Sequence, residues 1–200
     1  MKKVCIVGGI GSGKSYICKL FEDKGIPVFY FDDEAKKLYN NNDIVEKLLV
    51  TFKDEFAELD YPYDSSKIIK TLSKFIFKNS NKRKQLELLL KPALWESFNN
   101  ACEQHKNEKL FISECATILK SDDFKNFDEI IFIQADPLKR EEIVLKNRNM
   151  SSEDFYNRVS SQLSNVESTE ILKKSGIKYT IFFNEFDSKS DNFVNNYLNE

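Results

Sequence analysis

Residues 8–16 read GGIGSGKSY, and this stretch decides the fold. It follows KVCIVG, residues 3–8, an apolar β-rich run ending in glycine, which is the pattern of a buried strand. Beyond it, Ile17, Leu20 and Phe21 fall at helical spacing between Lys14 and Asp23, with Gly25 as a stop. IPVFYF, residues 26–31, reads as a second strand, so the glycine stretch sits between strand and helix in a βαβ unit. Gly8, four residues, then Gly13-Lys14-Ser15 match G-x-x-x-x-G-K-[ST] without a gap. Glycines let backbone N–H groups close around phosphate oxygens where side chains would collide, and the helix adds the positive end of its dipole. Lys14, the only charge in the stretch, suits β- and γ-phosphate oxygens, and the Ser15 hydroxyl suits Mg²⁺. Gly8, Gly9, Gly11, Ser12, Gly13, Lys14, Ser15 and Tyr16 are therefore the expected nucleotide-binding set, Tyr16 mainly through its backbone N–H. The competing reading is a glycine turn that merely joins strand to helix.

The 200-residue chain is long enough for one domain with a substantial core. It is 41% hydrophobic and 31% charged, ordinary for a globular protein, and its net charge of −2 offers no basic field for nucleic acid. No run reaches the ~18–20 apolar residues of a membrane span, and MKKVCIVGG is too short for a signal peptide. A cytoplasmic protein is expected. Cys5, Cys18, Cys102 and Cys115 are scattered without a CxxC pair, which favours buried thiols over disulfides or zinc. The single histidine, His105, lies in a polar stretch and argues against histidine-based catalysis.

The middle of the chain reads as helical. DDEAKKLYNN starts one helix and DIVEKLLVTF another. Ser65–Phe77 places Ile68, Ile69, Leu72, Phe75 and Ile76 on one stripe. A longer pattern beginning at Asn81 meets Pro92, which is expected to kink or end it. Residues 109–115 and 129–135 read as core strands, and a helix is expected from Pro137 toward Arg148. Another should start near Ser151 as cap, and KYTIFFN, residues 178–184, supplies a last strand. Strands alternating with helices predict an α/β fold of the P-loop NTPase type, a parallel five-stranded sheet flanked by helices. The expected division is a core of residues 1–31, 108–136 and 176–200, a helical substrate region of about 32–107, and a lid of about 137–165. Strand two is expected beside strand one.

A GTP switch would carry [NT]-K-x-D, and NKRK at 81–84 lacks the aspartate. The nearest Walker-B candidate is Glu114 of FISEC, and the short length points to a small-molecule kinase. Such an enzyme needs a carboxylate near the acceptor hydroxyl. Ligands of open α/β sheets bind where strands end, and FDDEA puts Asp32 and Asp33 just past strand two. Asp32 is the better placed as base; the alternative is a helix cap.

GGIGSGKS followed by GIPVFYFDDEA resembles the dephospho-CoA kinases, whose opening runs T-G-G-I-G-S-G-K-S and then G-hydrophobic-x-hydrophobic-D-A-D-x-x-A. The similarity continues through IFKNSNKRKQLELLLKP, matching at Phe77, Leu86 and Pro92, and SSEDFYNRVSSQ, matching at Ser151, Glu153, Asp154, Arg158 and Gln162. The last strand with Asn184 resembles the family's V-I-x-N. The resemblance implies transfer of the ATP γ-phosphate to the 3′-hydroxyl of dephospho-CoA, the last step of coenzyme A synthesis, with Mg²⁺. It makes Asp32 the base and adds Asn184 to the nucleotide site.

The chain departs from the family pattern at several positions. Tyr30 replaces the first aspartate of D-A-D, and Lys91 replaces the histidine of H-P. Ala116 and Lys120 fall where D-x-P-L-L-F-E has its proline and last acid, leaving Glu114 as the retained carboxylate. Glu114 holds a magnesium-bound water or pairs with a lysine; Lys91 meets substrate phosphate or is a solvated helix residue. Asn147 replaces a lid arginine, which makes Arg148 the expected lid residue and Arg140 the second. Arg158 fits the family pattern or pairs with Asp154. The other readings kept open are a P-loop kinase for a nucleoside or nucleotide, and a nucleotide-binding regulator that has lost the chemistry. A small-molecule acceptor and a monomer are expected, with no nucleic-acid or membrane partner.

Overall fold

The computed structural model describes residues 1–57, 64–76, 79–147 and 150–199. The chain forms two compact units, one of Met1–Tyr30 with His105–Glu200, the other of Phe31–Gln104. In chain order the first unit opens with β1 (Lys2–Val7), α1 (Lys14–Asp23) and β2 (Val28–Tyr30). The second holds α2 (Phe31–Leu38), α3 (Asn42–Thr51), α4 (Ser65–Ile76) and α5 (Ser80–Gln104). The chain then returns to the first unit with β3 (Leu110–Glu114), two short 3₁₀ turns (Ile118–Lys120 and Asp122–Asn126) and β4 (Glu129–Ala135). It ends with α6 (Pro137–Asn147), α7 (Ser152–Ser160), α8 (Asn165–Ser175), β5 (Lys178–Asn184) and α9 (Lys189–Asn199).

The five strands form one parallel sheet in the order β2-β3-β1-β4-β5. Strand two is therefore not beside strand one: β3 lies between them, pairing Val4 with Ile112 on one side and Val28 with Ile112 on the other. The buried run Phe111–Ile112 explains the insertion, since a strand apolar on both faces is stable only with neighbours on both edges. β2, shorter than expected from residues 26–31, takes the edge. Because all strands run one way, Val7, Glu114, Ala135 and Asn184 finish at a common rim.

Val4, Ile6, Ile112, Ile131 and Ile133 pack on Ile17, Cys18 and Phe21 of α1 and Val194 of α9. Phe182 stacks on Phe193 with ring centroids 4.3 Å apart, fastening α9 to β5. The second unit has its own core of Leu48, Phe52, Ile68, Leu72, Leu86 and Leu90, and Phe31 stacks on Phe98 at 5.4 Å. α5 runs through Pro92 without ending. The proline removes the donor for the Leu88 carbonyl, but Leu88 is 66% exposed and water can serve it. Buried Leu86, Leu90 and Phe98 hold the turns on either side. Phe77 lies outside the described residues. No helix among the described residues is long and apolar enough to cross a membrane.

At the amino-terminal end of the sheet, Glu129 ties three strands together. Its fully buried carboxylate lies 2.7 Å from Lys2 Nζ and 3.2 Å from Lys178 Nζ, and accepts from Thr180 Oγ1 at 2.9 Å. Burial pushes this carboxyl upward, but bonds from Lys2, Thr180 and Lys178 outweigh it and hold it below the ordinary glutamate value. The folded value thus lies below the unfolded one. The stabilisation is complete above the unfolded carboxylate range, about 4.3, and is lost as pH falls through the depressed folded value. Glu129→Gln is expected to remove about 2 kcal/mol at neutral pH, lowering Tm by about 4–8 °C in a chain of this size. Calorimetry from neutral to acid pH checks this, since the variant's Tm should also fall less steeply below the carboxylate range.

Candidate active site

The stretch that opened the sequence leaves β1 at the rim. Gly8, Gly11 and Gly13 all have positive φ, at 151°, 75° and 93°. Gly13 caps α1 in the left-handed region, and a Cβ there would fall on the Asn184 amide nitrogen, so only glycine fits. The first-turn amides of α1, from Lys14 to Tyr16, have no intrahelical acceptor and form the anion-binding end of the helix.

Three side chains converge on this loop from distant strands and helices. Asn184, 1% exposed at the end of β5, donates from Nδ2 to the Ser12 carbonyl at 3.0 Å. Its Oδ1 accepts from Phe186 N at 2.9 Å and Ser190 Oγ at 3.2 Å, which fixes the amide's orientation. Arg140, buried on α6, donates from Nε to the Ile10 carbonyl at 2.8 Å, and burial lowers its pKa. Gln162, just past α7, accepts from Ile10 N at 2.8 Å.

Lys14 is 7% exposed, with Nζ 3.3 Å from the Gly9 carbonyl and 3.8 Å from Glu114 Oε1. β3 thus delivers its terminal carboxylate to the loop lysine, an oxygen donor beside the phosphate cradle. Ser15 is exposed on the first turn of α1. A hydroxyl and a carboxylate are the hard oxygen donors that Mg²⁺ takes, together with substrate phosphates and water. No group of three or more His, Cys, Asp and Glu side chains among the described residues could hold a metal by itself. The donor set fits an ion carried mainly by a nucleotide.

The other expected residues lie as follows. Tyr16 is 51% exposed, with its hydroxyl 3.5 Å from Asp191 Oδ2. Asp32 is exposed in the first turn of α2; Asp33 pairs with Lys36 at 2.6 Å and Glu34 with Lys37 at 2.9 Å. Among the described residues no ion pair or capping bond holds Asp32, in contrast to a helix cap. Tyr30, in place of the missing aspartate, packs against the α1 face of the core, and burial beside Cys18 and Glu22 drives its hydroxyl pKa far upward. Lys91 is exposed on α5, Arg158 is half-buried in the last turn of α7, and Lys120 Nζ donates to the Ser161 carbonyl. Arg148 lies outside the described residues. Sequence reasoning gave Gln162 no role, because its partner Ile10 is 152 positions away and no spacing rule links them.

A lysine-bearing glycine loop between the central strand and α1 of an all-parallel sheet, with a strand-end carboxylate beside the lysine, defines the P-loop kinase fold. The whole chain superposes on a crystal structure from Thermus thermophilus with a TM-score of 0.77, at 20% identity over 99% of this chain and 94% of the other. A dephospho-CoA kinase structure from Campylobacter jejuni gives a TM-score of 0.63, at 21% identity over 100% and 97%. The sequence model of the CoaE dephospho-CoA kinase family matches residues 3–174. The dephospho-CoA kinase of Bacteroides fragilis strain YCH46 is 29% identical over 169 residues, covering 84% of this chain and 80% of the relative. The chain belongs to the dephospho-CoA kinase family.

Proposed function

We propose that the chain transfers the γ-phosphate of ATP to the 3′-hydroxyl of dephospho-CoA, the final step of coenzyme A synthesis. The observation that carries this is the family match across residues 3–174, supported by a loop whose Gly8, Gly11 and Gly13 adopt positive φ. Gly8, Gly9, Gly11, Ser12 and Gly13 shape the cradle, and the Lys14, Ser15 and Tyr16 amides face the phosphates. Lys14 Nζ neutralises charge that builds on the transferred group. Ser15 would hold Mg²⁺, which when bound supplies further charge neutralisation, and Glu114 would orient water bound to it.

Asp32 is the proposed base, orienting the ribose hydroxyl and accepting its proton late in the transfer. Its support is that, among the described residues, no ion pair or capping bond holds it, in contrast to the paired Asp33 and Glu34. Arg148 is the proposed lid cation over the transferring phosphate, with Arg140 and Asn184 supporting the nucleotide loop. Residues 137–165 would act as the lid and about 32–107 as the acceptor region of a cytoplasmic monomer. Closure of such a lid excludes water and protects ATP from hydrolysis.

An ADP-release assay with dephospho-CoA, adenosine and nucleoside monophosphates tests the proposal. Dephospho-CoA alone should stimulate turnover above the water-only rate. Stimulation only by adenosine or a monophosphate would reassign the acceptor, and stimulation by none would remove the kinase reading.

A further inference from the structure

The apex of the phosphate loop is held from outside at a single residue. Ile10 is the one bulky residue between Gly8 and Gly13, and it is 6% exposed, packed with Val144 of α6 and Phe155 of α7. Both polar groups of its backbone are taken by side chains far away in sequence. Its N–H donates to Gln162 Oε1 and its C=O accepts from Arg140 Nε, each at 2.8 Å. The neighbouring glycines are fitted to the same helix. A Cβ on Gly11 would lie 2.7 Å from the Arg140 carbonyl and 2.8 Å from Val144 Cγ2, and one on Gly9 would fall on the Arg140 guanidinium. The residue before Gln162 is anchored in turn, its carbonyl accepting from Lys120 Nζ.

This arrangement answers a physical problem of the loop. Four glycines between residues 8 and 13 carry large conformational freedom, and ordering each residue costs about 1–2 kcal/mol. A loop that ordered only on binding would lose that free energy from nucleotide affinity. The Ile10 amide, committed to Gln162, is not offered to phosphate, and the Ser12 amide is turned onto the Gly9 carbonyl at 3.2 Å. The geometry points to Gln162 and Arg140 as positioning residues that clamp the Ile10 backbone on both sides of its Cα and hold the loop in its phosphate-receiving shape before nucleotide arrives. Both act through the loop, and the assignment rests on the loop's reading as a nucleotide-phosphate site.

The test uses the full chain with Gln162→Ala, Arg140→Met and Gln162→Glu, the last keeping an acceptor for Ile10 N–H. ATP and ADP binding is measured by calorimetry, KM for ATP and for dephospho-CoA by ADP release, and amide exchange at Ile10 by NMR. Losing one clamp bond should raise the ATP Kd and KM roughly five- to thirtyfold, with the dephospho-CoA KM unchanged. The Ile10 amide should exchange faster in Gln162→Ala while Val4–Val7 stay protected, and Gln162→Glu should restore its protection. Unchanged ATP affinity in folded Gln162→Ala would overturn the assignment. So would a uniform loss of protection across β1, the mark of a merely structural residue. If the wild-type chain binds ATP but does not phosphorylate dephospho-CoA, the binding and exchange results still decide the clamp, while the acceptor reading fails separately.

Discussion

Asp32→Asn is expected to lower kcat by roughly 10²–10⁴-fold, the range set by loss of a positioned general base, while the ATP dissociation constant stays within error of the wild type. Amide and carboxylate have nearly the same size, so the substitution removes the proton acceptor without emptying space. Asp32 is exposed and, among the described residues, enters no ion pair, so its replacement breaks no contact that supports the second unit. The adjacent Asp33 provides the control. It is paired with Lys36 at 2.6 Å on an exposed helix face, and Asp33→Asn should leave kcat nearly unchanged. Single-turnover phosphoryl transfer, with ATP affinity from calorimetry, measures both. Full activity in Asp32→Asn would remove Asp32 from the mechanism, and equal losses in both variants would point to the helix rather than to the base.

Lys14→Met should fail differently, losing affinity and turnover together. The ammonium sits 3.3 Å from the Gly9 carbonyl and 3.8 Å from Glu114, held by the loop where β- and γ-phosphates are proposed to bind. Removing one preorganised electrostatic donor typically costs roughly 10²–10³ in kcat, and a weaker ATP Kd should accompany it because the same charge faces the ground-state nucleotide. Lys14→Arg should not rescue activity. A planar guanidinium cannot take the place of a compact ammonium at a position only 7% exposed. Steady-state kinetics with nucleotide titration separate this pattern from that of Asp32→Asn, in which kcat alone falls. An active Lys14→Met enzyme would contradict the placement of phosphate on this loop.

Several elements were legible from local chemistry alone. The helix over Lys14–Asp23, the strands over 129–135 and 178–184, and the Ser151 cap follow from apolar periodicity and cap preferences within a few residues, and all four are observed. α8 went unread although Ser164 and Glu167 spell its capping box and Gly176 its stop, a signal available in the sequence. α9 also went unread; its buried Val194 and the Phe182–Phe193 stack show that packing on the sheet holds it. At Pro92, of the expected kink or end, the end does not occur: α5 continues, held by packing on both sides of the proline.

By itself the sequence determined the phosphate loop, the alternation of strands and helices, and the resemblance that named the family, because each rests on residues close together in the chain. Tertiary structure decided the rest. It placed β3 between β1 and β2, brought the Glu114 carboxylate to Lys14, and set Arg140, Gln162 and Asn184 against a loop more than a hundred residues away. Those relations depend on which strands share an edge and which helix faces are buried together. Strand order follows from the burial of whole faces, a property of the packed sheet that no spacing along the chain records.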